Sequence, residues 1–164
     1  MKEGHKTEEQ LISELTELRQ RLAELDALEA QHQQAEAALA HERDLLRALL
    51  DNSPDYVFFK DTESRFIRTN RAHAQLLGLD DPSQAMGKTD FDFFSEEYAR
   101  QFYDEEQQII VSGQPIVARE WKVPREDGQM IWLSEHQIAL MDENGEVIRL
   151  LGISRDITER MRPE

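Results

Sequence analysis

The sequence predicts an α+β fold: an antiparallel sheet with flanking helices, preceded by a long helix of coiled-coil type. Three observations predict it. Asp127-Gly128 and Asn144-Gly145 separate three long apolar runs, Pro115 to Pro124, Gln129 to Met141 and Glu146 to Ser154. A tight hairpin turn needs positive φ, which Gly, and to a lesser degree Asn or Asp, tolerates, so the runs read as a three-stranded meander. The runs are apolar on both alternating faces: Val117, Trp121 and Val123 against Ile116 and Ala118, Ile131 and Leu133 against Met130 and Trp132, Leu151 and Ile153 against Leu150 and Gly152. A sheet wetted on one side alternates cleanly, so this one is expected to be covered on both faces. Upstream, Glu8 to about Leu50 holds no Gly or Pro and is rich in Ala, Leu, Glu, Gln and Arg, the strongest helix formers.

Taken in order, the first element is that helix, assigned to residues 1–44 as a coiled coil. Leu11, Leu15, Leu18, Leu22 and Leu25 are spaced four, three, four, three, a heptad seam whose expected consequence is a parallel homodimer. Beyond Leu25 the seam runs through Leu28, His32, Ala35, Leu39, Glu42, Leu46 and Leu49, with a stammer where two threes fall together. Leu45, Leu46, Leu49 and Leu50 form their own stripe, a candidate cover for the outer face of the sheet. Pro54 ends the helix by disfavouring the helical conformation at Ser53.

Tyr56 to Phe59 then reads as a buried strand, Lys60 to Arg65 as a turn, and Phe66 to Thr69 as the partner strand. Asn70 is a good cap for a short helix from Arg71 to Leu77, which Gly78 stops. Residues 80–94 read as short helical turns and loops; Gly87-Lys88-Thr89 lacks the upstream Gly and the leading strand of a phosphate loop. Ser95 is placed to cap a helix from about Glu96 to Ser112, with Phe102, Ile109 and Ile110 available to the core and Gly113 at its end. After the meander, Asp156 is placed to cap a further helix, with Glu159 three residues on, as in a capping box.

Length and composition narrow the function. The 164 residues give room for one ordinary domain and an appendage. The absence of cysteine removes disulfides, thiolate catalysis, Cys-ligated zinc, iron–sulfur clusters and c-type haem attachment together. A net charge of −15, spread through both halves, argues against nucleic acid as a partner, since a DNA binder neutralises phosphates with Lys and Arg. No run of about 18 apolar residues occurs and the charged N-terminus does not read as a signal peptide, so no membrane span and a cytoplasmic location are expected. No nucleophile–base pair or metal-ligand spacing is visible, and the chain is not expected to be an enzyme.

Residues from about 45 to 160 resemble a PAS domain of the bacterial cytoplasmic sensor type, as in sensor histidine kinases and diguanylate cyclases. The segments that carry the resemblance are Asn52 to Asp61, Phe66 to Ala72, Leu76 to Leu79, Gly87 to Phe94, Glu126-Asp127-Gly128 and Gly152 to Arg160, which includes Asp156-Ile157-Thr158. The resemblance implies a five-stranded antiparallel sheet in the order 2-1-5-4-3 with helices making a pocket over one face. It assigns 45–158 to the PAS domain and 159–164 to the start of a signalling helix. Asp156, Ile157 and Thr158 would pass a change at the sheet to an effector such as a histidine kinase or cyclase.

For the pocket, the resemblance points to Arg119, Trp121, Leu133, Glu135, Gln137, Leu150, Gly152 and Ser154, with Trp132, Ser134 and His136 on the opposite face. A cysteinyl flavin is disfavoured because there is no cysteine, and haem because the Glu96 to Ser112 helix holds no His. The ligand stays unknown: a small polar molecule held by Arg119 and Gln137, or none, with Arg119 and Glu135 pairing across adjacent strands in a closed core. Two functions follow. One is a sensory module that relays a ligand- or redox-dependent change; the other is a ligand-free dimerisation or docking module.

Overall fold

The computed structural model describes residues 4–163, so Met1 to Glu3 and Glu164, at the limits of the expected first and last segments, lie outside the described residues. The chain divides into two compact units between Arg47 and Ala48. The first unit is most of α1 (Glu8–Asn52), in which Leu11, Leu15, Leu18, Leu22 and Leu25 are all exposed. Leu45, Leu46 and Leu49 are exposed as well, and of the stripe expected to cover the sheet Leu50 alone is buried.

The second unit is built on five antiparallel strands, β1 (Tyr56–Lys60), β2 (Phe66–Thr69), β3 (Ile116–Pro124), β4 (Met130–Met141) and β5 (Val147–Asp156), in the order β2-β1-β5-β4-β3. This is the order the PAS resemblance implies. Between β2 and β3 lie α2 (Arg71–Leu76), two short 3-10 turns at Pro82–Ala85 and Asp90–Asp92, and α3 (Glu96–Ser112).

Local chemistry explains most of the boundaries. Asn70 Oδ1 accepts from the backbone N–H of His73, capping α2, and from that of Val57, while its Nδ2 donates to the carbonyls of Leu50 and Asp55. One buried amide thus ties the end of α1, β1 and α2 together with every polar atom used. Asp81 and Gln84 make a reciprocal capping box at the first 3-10 turn. Gly113 ends α3 with φ of +69°, the left-handed conformation in which Gly has no Cβ penalty. Ser95 precedes α3 as expected but makes no side-chain cap bond.

Three expectations need correcting. Lys60 is not the start of a turn but the last residue of β1, where it lies almost completely buried. On β3 a bulge between Ile116 and Arg119, with Ala118 at φ of +50°, adds a residue, so Ile116, Arg119, Trp121 and Val123 pair along one face while Val117 is exposed. The helix after Asp156 is a single turn: Asp156 Oδ1 accepts from Thr158 N–H and the Met161 N–H returns to the Ile157 carbonyl.

The inner face of the sheet packs under α2 and α3. Leu76, Phe102, Val123, Ile131 and Leu133 form one buried cluster, and Phe58, Phe66, Leu77 and Ala85 a second. Burial of such a side chain contributes about 1.5–3 kcal/mol each. On the outer face Val57 is buried, Phe59, Trp132, Leu140 and Leu151 are half-buried, and Ile138 and Ile153 are exposed. The apolar pattern therefore does run on both faces, but in one chain the outer face is only partly covered.

Candidate functional site: a polar cavity under the sheet

Between the two clusters the inner face holds polar groups in an otherwise aromatic wall. A cavity of about 50 Å³ is lined by Tyr56, Phe58 and Lys60 of β1, His73 and Leu76 of α2, Asp90 of the second 3-10 turn and Phe94 after it, Phe102 and Glu106 of α3, Trp121 and Val123 of β3, Leu133, Glu135 and Gln137 of β4, and Ser154 of β5. The strand register brings these together: Tyr56 pairs with Ser154, Ser154 with Glu135, and Trp121 with Leu133.

Of the eight residues expected in the pocket, Trp121, Leu133, Glu135, Gln137 and Ser154 line this cavity, and Arg119, Leu150 and Gly152 do not. Leu150 is fully buried beside Lys60 in the β1–β5 pairing. Gly152 leaves no space for a ligand, because the Phe58 ring fills it: a Cβ there would lie 2.1 Å from the ring. Arg119 bridges two carboxylates at the cavity's edge, Nη1 2.5 Å from Glu105 Oε2 and Nη2 2.9 Å from Glu135 Oε2, with its guanidinium carbon 4.1 Å from the centre of the Trp121 ring. The cross-strand pair of Arg119 and Glu135 is therefore formed. Gln137 Nε2 donates to Glu135 Oε1 at 2.8 Å, and burial raises the Glu135 pKa against the lowering effect of Gln137 and Arg119.

The opposite end of the cavity holds groups that the sequence reading passed over. Lys60 Nζ lies 2.5 Å from both Asp90 Oδ2 and Glu106 Oε1, and all three side chains are buried. The ammonium also stands 4.5 Å from the centre of the Phe66 ring and 5.0 Å from that of Phe58. Burial opposes the charge of Lys60, but Asp90 and Glu106 outweigh it and hold the lysine pKa above its ordinary value. Burial, reinforced by Asp90 and opposed by Lys60, pushes Glu106 up to about 7. His73, whose Nδ1 is 2.6 Å from the Thr69 hydroxyl, is pushed down to about 3 by burial and by Lys60, and so stays neutral.

A signal for this cluster was present. Glu106 interrupts the buried stripe Ala99, Phe102, Ile109 of α3, and Lys60 continues the alternation Tyr56, Phe58. A charge on an apolar stripe needs a buried partner. Which partner it finds, across 46 residues, is a matter of tertiary packing.

The cavity is not saturated with hydrogen bonds. Glu106 Oε2, Gln137 Oε1 and Trp121 Nε1 are buried without a hydrogen-bond partner, and the Ser64 hydroxyl lies beside Glu106 and lowers its pKa slightly against the effect of burial. Among the described residues no group of His, Asp and Glu is arranged to hold a metal ion.

The far end of β5 leads out of this site. Ile157 N–H donates to the Trp132 carbonyl at 2.9 Å, Trp132 N–H to Thr158 Oγ1 at 3.0 Å, and Arg160 pairs with Glu120 of β3. On the outer face His136 Nδ1 accepts from the backbone N–H of Ala118 in the bulge, at 3.4 Å.

Residues 50–162 match the PAS fold family. The chain belongs to that family. Outside the long helix, its described elements are those of a PAS domain. The relatives of this PAS domain include the methanogenesis regulatory histidine kinase FilI of Methanothrix harundinacea, 30% identical over 82% of this chain and 14% of that protein. A diguanylate cyclase of Vibrio cholerae is 30% identical over 63% of this chain and 32% of its own length. The chain thus spans a small part of these relatives, 14% and 32% of their lengths. In fold, the PAS domain is similar to the Vibrio cholerae VqmA dimer solved without target DNA, at TM-score 0.64 and 24% identity over 71% of this chain and 52% of that one. No described helix is long and apolar enough to cross a membrane.

Proposed function

We propose that this PAS domain is the sensory input of a cytoplasmic signalling protein, and that occupancy of the cavity is what it senses. The observation that carries this reading is the cavity itself: buried polar groups without partners are costly and rare in a closed core, so their presence here favours a ligand. The cavity shares strand β4 with the output segment, because Leu133 and Glu135 line it while Trp132, next to Leu133, holds Ile157 and Thr158. A guest that shifts β4 would move Asp156, Ile157 and Thr158 and the effector attached to them, a histidine kinase or a diguanylate cyclase by analogy with the relatives. A ligand can bias the two states only by its differential affinity for them.

The exposed leucines of α1 support a parallel homodimer, since five large apolar side chains at heptad spacing are all exposed on this helix. Leu15→Asp together with Leu22→Asp is expected to convert a dimer to a monomer in light scattering while the PAS domain keeps its melting transition.

The sensory reading is tested by native mass spectrometry of the purified chain and by melting shifts across a metabolite panel. A co-purifying mass or a reproducible stabilisation is expected. A second reading, a ligand-free docking module, is favoured by the small volume of the cavity, and it prevails if the whole panel leaves the melting temperature unchanged.

A further inference from the structure

We propose that the cavity accepts a small organic ammonium ion, whose N–H groups bond Glu106 Oε2 and Gln137 Oε1; this rests on the sensory reading of the same site. Charge points to a cation. At the Lys60 end one ammonium faces two carboxylates, Asp90 and Glu106, so the buried cluster carries one negative charge in excess when both are ionised. At the other end Arg119 likewise stands between Glu135 and Glu105, but Arg119 and Glu105 are about a quarter exposed, so water screens the excess there. The lining cation, Lys60, already serves both carboxylates, so the donor left over in the lining is the neutral indole N–H of Trp121 and not a charge that would hold an anionic guest.

Hydrogen bonding points the same way. Glu106 and Gln137 are 1% and 4% exposed, and each keeps one oxygen without a partner; both oxygens are acceptors, so the guest must donate. Water could donate to them too, yet it would leave the excess charge uncompensated. The walls suit a cation as well, being formed by Tyr56, Phe58, Phe94, Phe102 and Trp121, whose ring faces are electronegative. Size sets the upper limit. A volume of about 50 Å³ is roughly a third of the ~150 Å³ cavity that holds benzene, which admits about two to three non-hydrogen atoms, as in methylammonium.

Ammonium and proton compete for Glu106. The groups that face it are Lys60 of β1, Asp90, the neutral His73 of α2 and Ser64 of the β1–β2 turn, with Glu135 and Gln137 across the cavity on β4. With Glu106 at about 7 in the empty domain, the competing proton weakens ammonium binding about tenfold between about pH 8 and about pH 6.

The test is calorimetric titration of the full chain with methylammonium, formate and formamide. Saturable binding of methylammonium, about tenfold weaker at the lower pH, is expected, with neither formate nor formamide bound. Glu106→Gln should abolish both the binding and its pH dependence, and Gln137→Leu should weaken binding several-fold; circular dichroism melts check that each variant is folded. Should either variant unfold, the pH dependence of the unaltered protein still decides. Methylammonium binding that is absent, or equal in Glu106→Gln, overturns the proposal. If formate or formamide binds instead, the ammonium class is wrong while the sensory reading stands; if none binds, the class is again wrong, and the sensory reading fails only when the metabolite panel is also blank.

Discussion

The two ends of the cavity hold the same set of charges, one cation between two carboxylates, yet they differ in what surrounds them. Lys60, Asp90 and Glu106 have side chains 2%, 8% and 1% exposed, whereas Arg119 and Glu105 are 27% and 24% exposed and only Glu135 is buried. In the closed cluster desolvation dominates, so the Coulomb gain must be obtained with short contacts and any missing partner is expensive. In the open cluster water shares the work, and the planar fork of Arg119 reaches both carboxylates while stacking on Trp121. The contrast teaches that burial, more than the list of charges, sets what each ion pair contributes.

That contrast is most directly broken at Lys60. Lys60→Met leaves Asp90 and Glu106 buried without a cation, and a loss of about 3–5 kcal/mol is expected in urea unfolding at neutral pH, partly recovered at acid pH as Glu106 takes up a proton. Equal stability of Lys60→Met and the parent protein would show that the closed cluster is not held as described. Arg119→Met should cost less, about 1–2 kcal/mol, because Glu135 keeps the Gln137 amide and the arginine is already partly wet. A larger loss at Arg119 than at Lys60 would invert the comparison.

The smallest effect, taken per pH unit, is in the pH profile and separates two neighbours in the closed end. Glu106 is raised to about 7, so its folded state holds a proton that the unfolded chain releases: its stabilisation is full at low pH and is lost as pH rises from about 4.5 to about 7. His73 is lowered to about 3, so its contribution is present above about 6.5 and is lost as pH falls toward 3. The two slopes oppose one another between about pH 4.5 and 6.5. Glu106→Gln should unmask the His73 slope, making stability fall more steeply on acidification by up to about 1.4 kcal/mol per pH unit. Parallel profiles for Glu106→Gln and the parent protein would remove Glu106 from this role.

Much of the fold could be read from local chemistry. The Asp127-Gly128 and Asn144-Gly145 turns, the Asn70 cap and the Gly113 stop each act within a few residues, so the strands, α2 and α3 fall close to where the pattern predicts. The Arg119–Glu135 pair was open to anticipation as well, because the Asp-Gly turn sets the register that places one opposite the other. The bulge at Ala118 was not, since one added residue leaves no mark in composition and yet turns Val117 outward.

What the residues determined unaided was the class of fold, the antiparallel meander and the long leucine-seamed helix, all of which rest on interactions between near neighbours in sequence. What packing alone decided was the inside of the cavity. Lys60 meets Asp90 and Glu106 across 30 and 46 residues, and the Phe58 ring takes the space that Gly152 leaves free. Contacts of that range depend on how helices settle over a sheet, and the energy of a buried charge depends on every atom that excludes water from it.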